Sequence, residues 1–558
     1  MTKSHSAMAP TLALCSIFWV LAGSAPAHAQ LISDEDARVC AKPTADETIT
    51  SCTAVIDAGT LSGRQLAAAY AQRGYARTLK RSLTDAEADL DQAIKTDPDY
   101  PAGYANRANF WIVTHKFDRA MTDAEQAVRL DPKLPVAYFT RAGAALNLGQ
   151  YDRAIADYTE VLKLRPASTD SLNLRGVAYH RKGDDAKAVA DYSEILKTEP
   201  NNVGTLLNRS DALLKLHEMK RASADFGEVI ALAPDNPGGW KGRGYVRFLT
   251  QDAKGAVADF SEAIKRSPKD ANLYVNRGGA LSILNQNARA LADDDMAIRL
   301  DPREPIAYVN RGQTLSNLGD KVAGVASVNH ALEMVSGFPP ALDVLKKIGS
   351  APQKRGKKVA ELSEEKAQDD WRICSFPVTD VGPPKQAMIG VIDACTALIN
   401  SQGGSDDNRA LAHLQRGSMY RRLGKFELAL ADFSESIRHD PNSASAYTGL
   451  GNAYRGLDLF DLAIAAHSEA LRLKPEARTY NNRGNVYSDM KDNARAMADY
   501  DTAIKLDPSY ATAYYNRGNA RLDAGDKEGA AADYRQAAKL DPYLKQATEA
   551  LRDLDKKL

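Results

Sequence analysis

Residues 237–270 have the sequence PGGWKGRGYVRFLTQDAKGAVADFSEAIKRSPKD, in which apolar residues recur with helical spacing. Trp240 and Phe248 fall on one face of a helix. After a polar break, Ala256 and Phe260 begin a second apolar stripe with helical spacing. The stretch therefore predicts a helix, a turn and a second helix.

The stretch is one copy of a repeat. A proline, which cannot continue a helix because it lacks the N–H and its ring clashes with the preceding turn, ends each copy. These prolines are 34 residues apart, at Pro98, Pro132, Pro166, Pro200, Pro234, Pro268 and Pro302. A period of this length indicates a supersecondary unit that buries its apolar face by stacking on copies of itself. Any function must then lie on the surface of the stack.

Small and aromatic residues follow the same period. Gly176 and Gly484 stand where two helices approach closely, and Tyr192 and Phe260 recur as large side chains on the second helix. This pattern resembles the tetratricopeptide repeat. The copies that match it best contain Tyr447, Leu450, Gly451, Tyr454, Ala463, Ala470 and Pro475, and then Tyr480, Gly484, Tyr487, Ala496, Tyr500 and Pro508. The resemblance implies an all-α fold of two right-handed α-solenoid superhelices, built from helix-turn-helix repeats and joined by a linker.

The repeats predict two arrays. We expect eight repeats and a closing helix in residues 67–349, and four repeats and a C-terminal closing helix in residues 410–558. A charged linker is expected at 350–370. The basic run Lys354 to Lys358 leaves a nucleic-acid or anionic-lipid site open as an alternative, although the acidic run that follows would offset its attraction to phosphate.

The N-terminal residues 1–29 have the pattern of a signal peptide. Lys3 precedes a mostly apolar stretch, and small residues stand before Gln30, where a signal peptidase would cleave. The apolar stretch is shorter than the ~20 residues that cross a bilayer. We expect export across the inner membrane of a bacterium, a periplasmic location, and no membrane insertion once the signal is removed.

Four cysteines remain after the signal, two ahead of each array. The segments Cys52 to Ile56 and Cys395 to Ile399 resemble each other, which indicates two copies of one module. We predict stapled caps at 30–66 and 371–409, with disulfides Cys40–Cys52 and Cys374–Cys395. A metal site or redox chemistry is the alternative, but neither CxxC spacing nor clustered histidines accompany these cysteines.

An arginine and an aspartate recur sixteen residues apart in most repeats. Examples are Arg107 with Asp123, Arg175 with Asp191, and Arg277 with Asp293. One repeat lacks both residues and carries Leu450 and Ala466 instead, which indicates that the two side chains are partners. The eighth repeat keeps Arg311 but has Ser327 in place of aspartate, so Arg311 could reach back to Asp293. Pairing within repeats and pairing between repeats both stay open, and a purely structural role is the simplest interpretation.

Asparagine recurs beside the arginines. The resemblance implies that first helices line a concave groove, where an amide can hold the backbone of an extended peptide. The candidates are Asn106, Asn109, Asn208, Asn276, Asn310, Asn482, Asn485, Asn516 and Asn519. Hydrogen bonding within the array is the alternative. The lysines that let some relatives grip a C-terminal carboxylate are absent apart from Lys241, so that mode is not expected here.

No catalytic motif, metal-ligand spacing or phosphate loop appears, and the histidines are scattered singly. Lys plus Arg equals Asp plus Glu at 72 each, so net charge selects no polyanion, and we expect no nucleic-acid partner, cofactor or metal. We therefore expect a non-enzymatic scaffold that binds a protein or peptide in its grooves. A structural or accessory subunit of a cell-envelope enzyme or export complex is the alternative.

Overall fold

The computed structural model describes residues 39–350, 364–374, 385–400 and 405–555, and throughout these segments the chain is α-helical without a strand. The signal segment 1–29 and most of the linker at 350–370 lie outside the described residues. The expected all-α solenoid fold is confirmed, since consecutive helices pack in pairs.

The described residues up to Pro268 form one compact unit, called the first unit. A cap helix precedes six helix pairs. The helices are α1 (Ala45–Asp57), α2 (Gly63–Leu79), α3 (Leu83–Thr96), α4 (Pro101–Val113), α5 (Phe117–Leu130), α6 (Pro135–Asn147), α7 (Tyr151–Leu164), α8 (Thr169–Lys182), α9 (Asp185–Thr198), α10 (Val203–Lys215), α11 (Met219–Leu232), α12 (Pro237–Leu249) and α13 (Ala253–Arg266).

The described residues from Lys269 onward form the second unit. Two helix pairs and a single helix are followed by two cap helices, four pairs and a last helix. These are α14 (Ala271–Ile283), α15 (Asn287–Leu300), α16 (Pro305–Asn317), α17 (Lys321–Met334), α18 (Pro339–Ile348), α19 (Glu364–Cys374), α20 (Lys385–Asn400), α21 (Asp406–Arg422), α22 (Phe426–His439), α23 (Ala444–Gly456), α24 (Phe460–Leu473), α25 (Ala477–Asp489), α26 (Asn493–Leu506), α27 (Ala511–Asp523), α28 (Lys527–Leu540) and α29 (Lys545–Asp555).

The turn inside each helix pair depends on one residue in the left-handed backbone region. Glycine fills this place at Gly149 and Gly183, because it pays no steric cost at positive φ. His115 and His217 adopt the same conformation in their own turns, with φ of 59° and 58°. Two of the scattered histidines are therefore turn residues.

Glycine on the first helix of a pair makes room for the aromatic ring on the second. A Cβ atom at Gly176 would lie 2.6 Å from the ring of Tyr192, and one at Gly484 would lie 2.7 Å from that of Tyr500. Both rings are buried, with 1% of each residue exposed. The close approach that the sequence predicted at these two glycines is therefore present.

Both predicted disulfides are present. Cys40 pairs with Cys52, which lies on α1, and Cys374 on α19 pairs with Cys395 on α20. All four cysteines are buried against the first helix of the array that follows. Among the described residues, no helix has both the length and the apolar character to cross a membrane.

Candidate functional site

The arginine and aspartate of most repeats form a bidentate salt bridge. In the pair Arg141–Asp157, Nε and Nη2 of the arginine donate to the two carboxylate oxygens at 2.8 and 2.6 Å. The same geometry joins Arg107 to Asp123, Arg175 to Asp191, and Arg277 to Asp293, and it recurs in Arg73–Asp89, Arg209–Asp225, Arg243–Asp259, Arg416–Asp432, Arg483–Asp499 and Arg517–Asp533. Each of these pairs lies within one repeat and joins its two helices.

The third guanidinium nitrogen often reaches the preceding repeat. Nη1 of Arg107 donates to Asp91 on α3 at 2.8 Å, and Nη1 of Arg175 donates to Thr159 on α7 at 3.1 Å. At the start of the first array the cap helix supplies the partner, because Nη1 of Arg73 donates to Thr53. Both pairing modes that the sequence left open are therefore used, and the cap helix takes the place of a preceding repeat.

Arg311 departs from this pattern. Its Nε donates to Asp295 at 2.7 Å and its Nη1 contacts Glu435 on α22, with 3% of the side chain exposed. The suggestion that Arg311 reaches back to Asp293 was wrong, because that carboxylate is held by Arg277 of its own repeat. Physically, a buried guanidinium without the usual aspartate needs other carboxylates, and two are supplied by α15 and α22.

First helices line the inner side of each curved stack. In the first unit, α2 packs on α4, α4 on α6, α8 on α10 and α10 on α12. Second helices of successive repeats make no comparable contacts within the described segments. A stack bends toward the side on which its helices are closest, so the exposed side chains of the first helices form the inner face.

Two of the candidate asparagines are committed to helix packing. The amide of Asn106 donates to the backbone oxygen of Ala71 at 3.3 Å, and that of Asn310 donates to Val275 O at 3.2 Å. Both asparagines are buried, with 1% and 8% of the residue exposed. Each therefore fastens one first helix to the next, which is the alternative that the sequence had left open.

Other candidates bond to side chains. Asn208 donates to Asn173 at 3.1 Å, and Asn516 donates to both Asn481 and Asn485, at 2.9 and 3.0 Å. The phenol of Tyr534 donates to Asn519 and that of Tyr500 to Asn485, each at 2.8 Å.

All of the remaining candidate asparagines are half-buried on first helices. They are Asn109, Asn276 and Asn482. The groove role of these asparagines stays a prediction.

A feature of the inner face that has no counterpart in the repeat is Asp211 on α10. It is half-buried between the neighbouring first helices. Burial raises the pKa of its carboxyl to about 6. The positive charges of His180 on α8 and Lys241 on α12 act in the opposite direction and only partly offset this effect.

Asp170 at the start of α8 is a second such carboxylate. Burial, and then the charge of Glu199, raise the pKa of the Asp170 carboxyl. Its charge reaches Tyr75 on α2, where it adds to burial in raising the pKa of the phenol. Within the segments that the structure describes, neither Asp170 nor Asp211 makes a hydrogen bond or an ion pair.

Neither carboxylate is predicted from the sequence, because neither recurs from repeat to repeat. Their only signal is that an acidic residue stands where equivalent repeats carry another type: Asn109, Gly143, Val177 and Tyr245 occupy the places that correspond to Asp211. An unpaired carboxylate with a perturbed pKa in a concave surface is characteristic of a binding site.

Repeat profiles match both parts of the chain. The profile described as "Tetratricopeptide repeat" matches residues 139–203 and 207–271, and further profiles of the same description match 444–476 and 511–544. The profile described as "TPR repeat" matches 417–458 and 484–525. No curated protein matches the sequence.

Several solved structures are similar to parts of this chain. A tetratricopeptide repeat protein from Parabacteroides merdae is 20% identical, with 45% of this chain and 99% of that chain covered and a TM-score of 0.38. A chain of the Cut9 and Hcn1 hetero-tetramer of APC/C is 14% identical, with 89% of this chain and 98% of that chain covered and a TM-score of 0.36. The first TPR of Spaghetti (RPAP3), bound to an HSP90 peptide, is 30% identical, with 21% and 94% covered and a TM-score of 0.21.

Proposed function

Because this chain belongs to the tetratricopeptide-repeat family, we propose that it is a non-catalytic scaffold that binds a protein partner on the inner face of its first unit. The bound element is an extended segment that carries at least one lysine or arginine. The observation that carries this proposal is the pair of unpaired, half-buried carboxylates Asp170 and Asp211 on that face.

Each of these carboxylates is energetically unfavourable in the free protein. A carboxylate taken out of water without a partner destabilises the folded chain, and a cationic side chain brought to it recovers that energy. The positive charges of His180, Lys241 and Lys215 act on Asp211, yet its pKa stays raised to about 6. A guanidinium or ammonium group from a partner would supply the charge that the fold itself does not supply.

The apolar side chains around Asp211 favour an extended partner. Leu207 lies one turn before Asp211 on α10, and Tyr245 on α12 is its equivalent in the next repeat; both are half-buried, and Phe248 lies one turn further along α12. Such surfaces bury the stem of a long cationic side chain while its charge reaches a carboxylate. A segment laid across successive first helices would meet these groups in turn.

We also propose that the protein acts in the periplasm. The two buried disulfides support this, because disulfides persist in oxidising compartments. The mature protein is expected to begin at Gln30 and to be released with the periplasmic fraction, as checked by cell fractionation and N-terminal sequencing. An intact N-terminus recovered with the cytoplasmic fraction would contradict this location.

Replacement of Asp211 by asparagine is expected to abolish selection for cationic peptides and to stabilise the first unit. Because the folded pKa is near 6 and the ordinary value is 3.8, the folded state binds more protons between these values, and stability falls as pH rises through that window. Allowing for partial contact with water, the Asn variant should be more stable by about 1–2 kcal/mol at pH 7 and unchanged near pH 3.

Two measurements check this prediction. Selection of a random dodecapeptide library on the wild-type chain should enrich lysine or arginine, and selection on the Asp211→Asn variant should not. Asp152→Asn is the matched control, since that carboxylate is 83% exposed on α7. Equal enrichment of cationic residues on wild type and Asp211→Asn would contradict the proposal, and binding only to folded partners would favour the accessory-subunit alternative.

A further inference from the structure

The fold brings together three side chains with metal-binding atoms from two consecutive helices. His413 lies on α21, and Glu435 and His439 lie one turn apart on α22. One possible ligand atom from each lies within 4.8 Å of the other two. His413 and Glu435 are buried, and 6% of the His439 side chain is exposed.

Both imidazoles are held by a carboxylate through Nδ1. His413 Nδ1 lies 2.9 Å from Asp432, and His439 Nδ1 lies 2.9 Å from Asp406. A histidine that donates Nδ1–H to a carboxylate keeps Nε2 as its lone-pair nitrogen and is fixed in orientation. Metal-binding histidines in proteins are supported in this way, since the carboxylate sets the tautomer and raises the basicity of the ligand.

A positive group already occupies part of this cluster. Arg438 donates from Nε to Glu435 at 2.9 Å, and its Nη2 lies 2.7 Å from Nε2 of His439. A guanidinium has no acceptor, so the lone pair of His439 Nε2 must point at it. Two of the three potential ligands are therefore aimed at one cation.

We propose that His413, Glu435 and His439 form a binding site for a divalent metal ion of the zinc class, in which the metal displaces the guanidinium of Arg438. Two imidazoles and one carboxylate are a donor set that suits Zn²⁺ and leaves a fourth position for water. The Arg438 side chain is 46% exposed, so it can turn outward and open a path to solvent.

The charges around the cluster tolerate this exchange. The other oxygen of Glu435 is contacted by Arg311, and Asp432 is held by Arg416. Departure of Arg438 removes one positive charge and the metal adds two, in the presence of the carboxylates of Glu435 and Asp406. Bonds of about 2.0–2.1 Å require ligand atoms roughly 3.3 Å apart, so the three side chains close in by up to about 1.5 Å on binding.

The test is titration of the full-length chain, free of any histidine tag and with its disulfides intact, with Zn²⁺ followed by calorimetry and with Co²⁺ followed by absorption. We expect one ion per chain in the wild type. His439→Gln should bind at least tenfold more weakly, and Arg438→Gln at least tenfold more tightly because the competing cation is gone. His330→Gln is the matched control, as a histidine on α17 that lies 3.3 Å from the single acidic residue Glu333.

The site is refuted if the wild type takes up no ion, or if His439→Gln binds as tightly as His330→Gln. Helix content of every variant is compared by circular dichroism. Should His439→Gln fail to fold, the Arg438→Gln variant decides, because 46% of the Arg438 side chain is exposed. Binding equal to or weaker than that of the wild type would then overturn the proposal.

Discussion

Replacing Asp157 by alanine is expected to lower the local free energy of unfolding of α6 and α7 by about 3–4 kcal/mol. Only 4% of Asp157 is exposed, and it accepts two hydrogen bonds from Arg141. The substitution leaves a largely buried guanidinium without a counter-charge. Hydrogen exchange of the backbone amides in these two helices measures the effect, since long repeat arrays seldom unfold in one step.

The matched control comes from the chain itself. One repeat carries Leu450 and Ala466 in place of the ion pair and still forms α23 and α24. The double variant Arg141→Leu with Asp157→Ala copies that repeat and should recover most of the stability lost in the single variant, because no unpaired charge is left. Purely additive losses would show that the two side chains do not act as a pair.

Replacing His467 by phenylalanine is expected to stabilise α23 and α24 and to remove a loss of stability in acid. Seven repeats have an aromatic ring at this place, namely Tyr158, Tyr192, Phe226, Phe260, Phe433, Tyr500 and Tyr534. His467 is instead fully buried with both ring nitrogens unpaired among the described residues. Burial, and then the positive charges of Arg483 and Arg455, lower the pKa of this imidazole to about 3. The unpaired nitrogens alone cost about 1–2 kcal/mol at pH 7.

The sign of the pH effect follows from the two protonation states. The unfolded chain protonates this histidine near pH 6.5 and the folded chain only near pH 3, so stability falls as pH drops through that window. At pH 4 the loss is about 3 kcal/mol relative to neutral pH. Hydrogen exchange at pH 7 and pH 4 should show this loss in the wild type and in a His330→Gln control but not in His467→Phe; an equal acid loss in all three would contradict the account.

Much of the fold could be predicted because the residues that form each structural contact recur in many repeats. The spacing of Gly176 and Tyr192 predicted a close helix contact, and the structure has it. The cysteines were predictable for a related reason, since the segments around Cys52 and Cys395 are copies of one module. A contact that recurs leaves a period in the sequence.

The repeat period could not distinguish asparagines that fasten helices together from asparagines that are available to bind a partner. Asn106 and Asn276 occupy equivalent places, yet the first is buried against a backbone oxygen and the second is half-buried. Arginine pairing within and between repeats could not be resolved either, because one guanidinium has enough donors for both. These outcomes depend on the local approach of neighbouring helices, which a periodic sequence leaves undetermined.

The candidate sites could not be predicted from the sequence, because their residues do not recur from repeat to repeat. Asp170, Asp211 and the pair His413 and His439 each occur once, without a recurring spacing. What distinguishes them is the burial of a carboxylate and the short distances between side chains of different helices, and both arise only in the folded chain. Single residues that break the repeat, rather than those that follow it, therefore carry the candidate chemistry in this protein.

The proposed function places a partner on the inner face of the first unit beside Asp211. The most direct test is crosslinking in intact cells with a photoreactive residue at Leu207 on α10, and at Glu194, an exposed residue of α9, for comparison. We predict capture of one defined protein at Leu207, loss of that capture in the Asp211→Asn variant, and none at Glu194. Capture at Glu194 with silence at Leu207, or capture at Leu207 that Asp211→Asn leaves unchanged, would contradict the account.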